Sequence, residues 1–87
     1  MKIKFYGGLR QIAGTKEQDI TGATIREVLE KICTDNESLY MAIFDGMDLH
    51  QHVRVMVNGR DSESAGGLET PVSDNDQIAI FPPIAGG

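Results

Sequence analysis

The 87-residue sequence has one cysteine, two histidines and no tryptophan. The lone thiol, Cys33, can form no internal disulfide and falls far short of the thiolate set that holds an iron-sulfur cluster, so nothing in the chain requires an oxidising compartment. Long apolar runs are also missing. No stretch approaches the ~18 residues of a spanning helix, and MKIKFYGG lacks the apolar core and small-residue cleavage site of a signal peptide. A cytoplasmic location without a membrane partner is therefore expected. Basic runs are absent as well: eight Lys and Arg against thirteen Asp and Glu leave a net charge of −5. No cluster could neutralise a row of phosphates, which argues against nucleic-acid binding.

Length is scarce too. Domains usually hold about 100 to 150 residues, so this chain is one domain with no room for a separate catalytic module, and an enzyme acting by itself is disfavoured. Candidate catalytic constellations are few. His50 and His52, two residues apart, fit a surface turn and supply neither a Ser-His-Asp arrangement nor a metal site, so no bound metal or cofactor is expected. Gly7-Gly8 and Gly66-Gly67 read as turn glycines, since neither pair precedes a helix carrying a phosphate-loop lysine. The many acids read as a solvated surface.

What is present suffices for a core. Leu, Ile, Val and Phe together make up about a quarter of the residues, above the ~20% level below which chains stay disordered. Lys2 to Tyr6 alternate, with Ile3 and Phe5 pointing one way and Lys2, Lys4 and Tyr6 the other, as in a half-buried strand. Leu9 to Ala13 fit one helical turn before a short strand near Glu17 to Ile20. Thr24 and Glu27 have capping-box spacing, and Ile25, Val28, Leu29, Ile32 and Cys33 form one apolar stripe, which predicts an amphipathic helix. Cys33, on that stripe, should be a buried and inert thiol. Residues 37 to 44 predict a second short helix burying Leu39, Ala42 and Ile43 and ended by Gly46. Val53, Val55 and Val57 alternate with Arg54 and Met56 and run into Asn58-Gly59, a hairpin signal. Residues 60 to 75 read as a long polar loop with one short edge strand near Pro71, and Asn75 as a residue with positive φ. Gln77 to Phe81 form the last strand.

Strands flanking a helix predict an α+β fold, a mixed sheet with one amphipathic helix packed on one face. Strand parity then leaves Lys2, Lys4, Tyr6, Arg54, Met56, Gln77 and Phe81 on the open face, where Tyr6, Met56 and Phe81 are the expected partner-binding residues. Pro82-Pro83 cannot both continue a ladder, so residues 1-81 should form the domain and 82-87 an extended tail. Two glycines at the end of that tail leave the α-carboxylate without flanking side chains and with maximal backbone freedom.

The tail, Phe81-Pro82-Pro83-Ile84-Ala85-Gly86-Gly87, resembles that of the small subunit of molybdopterin synthase. More widely, it is similar to the tails of the ubiquitin-like β-grasp sulfur carriers. The likeness extends along the chain through Leu9-Arg10, Ala13-Gly14, the segment HVRVMVNG ending at Gly59, and Asp74-Asn75-Asp76 before the last strand. Asn75 stands where the family usually has Gly, Gly7-Gly8 where larger residues are frequent, and a long acidic loop follows Gly59. The resemblance implies a β-grasp fold and a carboxylate of Gly87 that a separate E1-like adenylating enzyme converts to an acyl adenylate with ATP. A sulfurtransferase carrying a persulfide then yields a thiocarboxylate. By the same resemblance, Pro82, Pro83, Ile84, Ala85 and Gly86 would carry this end into the large subunit of molybdopterin synthase, where sulfur would pass to a pterin precursor. Catalytic side chains would lie in the partners. Sulfur delivery for thiazole, tRNA thiolation or cysteine synthesis, or isopeptide attachment of Gly87 to lysines, uses the same chemistry. A non-covalent ubiquitin-like interaction domain is the alternative of another class.

Overall fold

In a computed structural model, which describes residues 1–82, the alternating amino terminus forms β1 (Lys2–Phe5), with Ile3 and Phe5 fully buried and both lysines exposed. A short helix α1 (Leu9–Ala13) leads to β2 (Glu17–Asp19). Helix α2 (Ile25–Ile32) starts where the sequence places it, with Thr24 Oγ1 accepting the Glu27 amide at 3.2 Å. The reciprocal half of the capping box is replaced by an i,i+4 pair, Glu27 with Lys31 Nζ at 3.4 Å. Ile25, Val28, Leu29 and Ile32 are buried along its inner stripe, each worth about 1.5–3 kcal/mol relative to exposure.

Helix α3 (Glu37–Ile43) is capped by Asn36 and buries Leu39 and Ile43, while Ala42 is only half-buried. Gly46 does not end it. The chain turns extended at Phe44, and Gly46, with φ 68°, makes the turn of a small hairpin, β3 (Phe44–Asp45) with β4 (Asp48–Leu49), that the sequence pattern did not announce. Strand β5 (Arg54–Val57) then folds back on β6 (Arg60–Asp61) through Asn58 and Gly59. Their φ values of 52° and 83° fit a two-residue hairpin turn that needs positive φ at both central positions.

The 60 to 75 segment departs from a plain polar loop. It winds through two 3-10 turns, Ser62–Ser64 and Gly67–Glu69, buries Ser62, Leu68 and Thr70, and bridges Pro71 to Thr24. The Ile25 amide donates to Thr70 O at 3.1 Å and the Val72 amide to Ala23 O at 3.0 Å, so the segment is strapped to the start of α2. Asn75 does not take positive φ; Asn58 is the one described non-glycine that does. The bend before the last strand is held instead by Asp76, whose carboxylate accepts the Ser73 amide at 2.8 Å.

Strand β7 (Gln77–Phe81) enters the middle of a five-stranded sheet of order β2-β1-β7-β5-β6. It runs parallel to β1 and antiparallel to β5. First and last strands are thus neighbours, and the chain leaves β7 beside the end of β1. One sheet face packs on α2 through Ile3, Phe5, Val55, Ile78 and Ile80; the other is open.

Candidate functional site

The open face is assembled by register. Met56 and Lys4 lie opposite Ala79, and Arg54 lies opposite Phe81, on either side of the central strand. Just past the end of β1 the Tyr6 amide donates to Ile80 O at 3.1 Å, which brings the Tyr6 ring onto that of Phe81 at 4.5 Å between centroids and 13° between planes. Stacked aromatics at this spacing contribute about 0.5–1.5 kcal/mol beyond their burial. The Arg10 guanidinium lies 5.5 Å from the Tyr6 ring centroid and donates through Nε to Phe5 O at 2.9 Å. Tyr6, Met56 and Phe81 line one shallow depression of about 240 Å³, together with Lys4, Asn58 and Ala79. The sequence-expected trio is therefore brought together in space, half-buried in Tyr6 and Met56 and 36% exposed in Phe81.

Pro82 follows Phe81 directly and packs against Gly7. Pro83, Ile84, Ala85, Gly86 and the expected reactive residue Gly87 lie outside the described residues. Sequence reading missed two contributors to this corner, Arg10 and Gly7. Their role depends on β1 and β7 lying side by side, which a strand pattern does not encode.

Other chemistry-bearing groups lie elsewhere. Cys33 is 6% exposed at the end of α2, and burial pushes its thiol up to about 11. His50 and His52 are exposed, and among the described residues no three His, Cys, Asp or Glu gather to hold a metal. A larger groove of about 500 Å³ runs between the β3–β4 hairpin and the two 3-10 turns. Its arginines are already paired, Arg26 with Glu69 at 2.6 Å and Arg54 with Glu63, and Asp48 and Asp61 leave its lining net acidic. Among the described residues no helix is long and apolar enough to cross a membrane.

A model described as the ThiS family matches residues 3–87. The chain belongs to this family of ubiquitin-like sulfur carriers. Among its relatives, small archaeal modifier protein 3 of Haloferax volcanii is 28% identical over 90 residues, covering 100% of this chain and 98% of the relative. The sulfur carrier protein CysO of Mycobacterium tuberculosis is 30% identical over 77 residues, 85% of this chain and 83% of the relative. The molybdopterin synthase sulfur carrier subunit of Escherichia coli is 22% identical over 89 residues, 100% of this chain and 99% of the relative. In three dimensions, small archaeal modifier protein 1 of Methanosarcina acetivorans superposes with a TM-score of 0.90 at 32% identity, covering 99% of this chain and 94% of that one. A chain from the Amycolatopsis orientalis BexX/CysO complex gives 0.88 at 30% identity, covering 99% and 98%. The α+β fold is the ubiquitin-like β-grasp, and these relatives are named as sulfur carriers or small modifiers.

Proposed function

We propose that this carrier is activated at the carboxylate of Gly87, which donates sulfur as a thiocarboxylate. The observation that carries the reading is the exit of the chain from the central strand: β7 ends at Phe81 within an aromatic corner on an open sheet face, and Pro82-Pro83 and Gly86-Gly87 follow. A carboxylate is a poor electrophile. One of its oxygens attacks the α-phosphorus of ATP in a separate E1-like enzyme, the bond to the β-phosphate oxygen breaks, and pyrophosphate leaves an acyl adenylate. The outer sulfur of a sulfurtransferase persulfide then displaces AMP from the acyl carbon. A thiol reduces the acyl disulfide so formed, releasing the thiocarboxylate and ending in a disulfide with the donor sulfur. The carrier itself supplies a docking face in Tyr6, Met56 and Phe81 and a narrow, side-chain-poor end.

For the acceptor, Pro82-Pro83 supports a pterin precursor held in the large subunit of a molybdopterin synthase, because a stiff spacer suits insertion into a neighbouring pocket. A second reading has its own support: relatives named as modifiers match this chain at 28% and 30% identity, against 22% for the molybdopterin carrier. A lysine amine attacking the same adenylate would displace AMP and leave an isopeptide. Intact mass of the protein from its native host reads the terminal residue and its state. Thiocarboxylated protein mixed with the large subunit and sulfur-free precursor should return to its carboxylate mass as the precursor gains sulfur. Failure of that transfer, together with Gly-Gly remnants on host lysines after digestion, would replace this acceptor with protein lysines.

A further inference from the structure

We propose that Gly7 is a positioning residue for the tail: its missing Cβ leaves the notch in which Pro82 seats, and this seat sets the direction in which the chain leaves the sheet. Gly7 has φ +56°, and a Cβ built on it would lie 2.8 Å from Pro82 Cγ and 3.4 Å from Pro82 Cδ. Contacts below 3.0 Å are essentially never made by real Cβ atoms, so one partner must move. Pro82 is a poor absorber of such a push, because its ring is closed onto its own backbone and φ is fixed by that ring. Displacing the ring displaces the chain.

The other side of the contact is equally held. The Leu9 amide donates to Tyr6 O and the Arg10 amide to Gly7 O, both at 3.2 Å, so the turn carrying Gly7 is bonded on itself. Arg10 Nε on Phe5 O at 2.9 Å ties the same turn to the end of β1. Upstream of Pro82, the Tyr6 amide on Ile80 O and the stacked Tyr6 and Phe81 rings fix the last residues of β7. Pro82 is thus clamped between a set strand end and a set turn. Of the other described glycines, Gly8, Gly14, Gly46, Gly59 and Gly67 would place a Cβ with nothing within 4 Å, while Gly22 and Gly66 would meet Val28 Cγ2 at 2.7 Å and Thr70 Oγ1 at 3.4 Å, neither of them in the tail. Gly14, at φ +79°, carries the backbone demand of Gly7 without its contact.

The inference rests on the reading that the tail is the activated segment, and the test separates the two. Gly7→Ala and Gly14→Ala share the strain of an L-residue at positive φ, but only the first pushes on Pro82. In ATP–pyrophosphate exchange with the host's adenylating enzyme, Gly7→Ala should lower kcat about 10-fold with KM within about 2-fold, because the docking face is intact and the carboxylate is delivered off-line. Gly14→Ala should match wild type. Pro82→Gly, which empties the seat from the other side and leaves Gly7 untouched, should show the kcat loss without loss of stability. NMR contacts between the Gly7 α protons and the Pro82 ring protons report the seat independently of activity. They should be present in wild type and Gly14→Ala and lost in Gly7→Ala. Absence of these contacts in wild type, or wild-type kcat in folded Gly7→Ala or in Pro82→Gly, overturns the proposal. No exchange with wild-type protein would instead overturn the functional reading alone.

Discussion

Cys33 closes the last turn of α2 with 6% of its surface exposed, and its thiol is pushed up to about 11 by burial. Such a group presents on the order of 100-fold less thiolate at neutral pH than an ordinary cysteine, so it is a core atom rather than a nucleophile. Cys33→Ala should therefore cost about 1 kcal/mol in urea unfolding and leave sulfur delivery from Gly87 at the wild-type rate. Loss of delivery by folded protein would move the sulfur chemistry onto this thiol. Phe81 is the opposite case, a ring 36% exposed that stacks on Tyr6 at the mouth of the tail. Phe81→Ala should weaken binding to the adenylating enzyme by about 2 kcal/mol or more, the scale of a central aromatic anchor, measured by titration calorimetry. The fold should lose only the stacking, about 0.5–1.5 kcal/mol. Unchanged affinity would assign the contact to another face.

At the scale of elements, a polar network welds the β5–β6 turn to the entry of β7. Asn58 Nδ2 donates to Asp76 Oδ1 at 2.9 Å, the Gln77 amide donates to Asn58 Oδ1 at 2.9 Å, and the Ser73 amide donates to Asp76 Oδ2 at 2.8 Å. The Asn58 amide group and then the Ser73 amide hold the Asp76 carboxyl below the usual carboxylate range. A depressed folded-state value means that the contribution to stability is present above the unfolded value, ~3.9, and is lost as pH falls through the lower folded value. Asp76→Ala should accordingly lower the urea midpoint at pH 7, and the gap to wild type should close in strong acid. A gap that persists unchanged into strong acid would mean that the carboxylate is not what holds the bend. The Asn-Gly hairpin was legible because two adjacent positions needing positive φ leave few residue choices. The Asp76 bend was not. Its bonds join residue 58 to residues 73 through 77, whereas the tolerance of a short amide for positive φ pointed to Asn75.

For the whole molecule, β7 is the element on which everything converges: it is central in the sheet, buries Ile78 and Ile80 against α2, and leads directly to Pro82. Among the described residues Ile80 is the last core side chain, and deleting Gly86 and Gly87 should leave the circular dichroism spectrum and thermal midpoint at wild-type values. The same deletion should abolish ATP–pyrophosphate exchange, because the proposed reacting carboxylate is displaced. Retained exchange by the truncated protein would refute activation at Gly87.

Local sequence determined the parts that depend on near neighbours: periodicity the alternating β1 and β5 and the apolar stripe of α2, residue type and spacing the Thr24 cap and the Asn58-Gly59 turn. In each, hydrogen bonding and side-chain direction repeat along a few consecutive residues, so the pattern carries the physics. The tertiary structure alone decided which strand lies beside which. Pairing β1 with β7 sets Tyr6 on Phe81 and Gly7 on Pro82, and folding 60 to 75 back on the start of α2 turns an apparently idle loop into one that buries its own Leu68 in the core. Those contacts join residues far apart along the chain. Their free energy depends on loop closure and on the fit of whole surfaces, and no local window of sequence reports either.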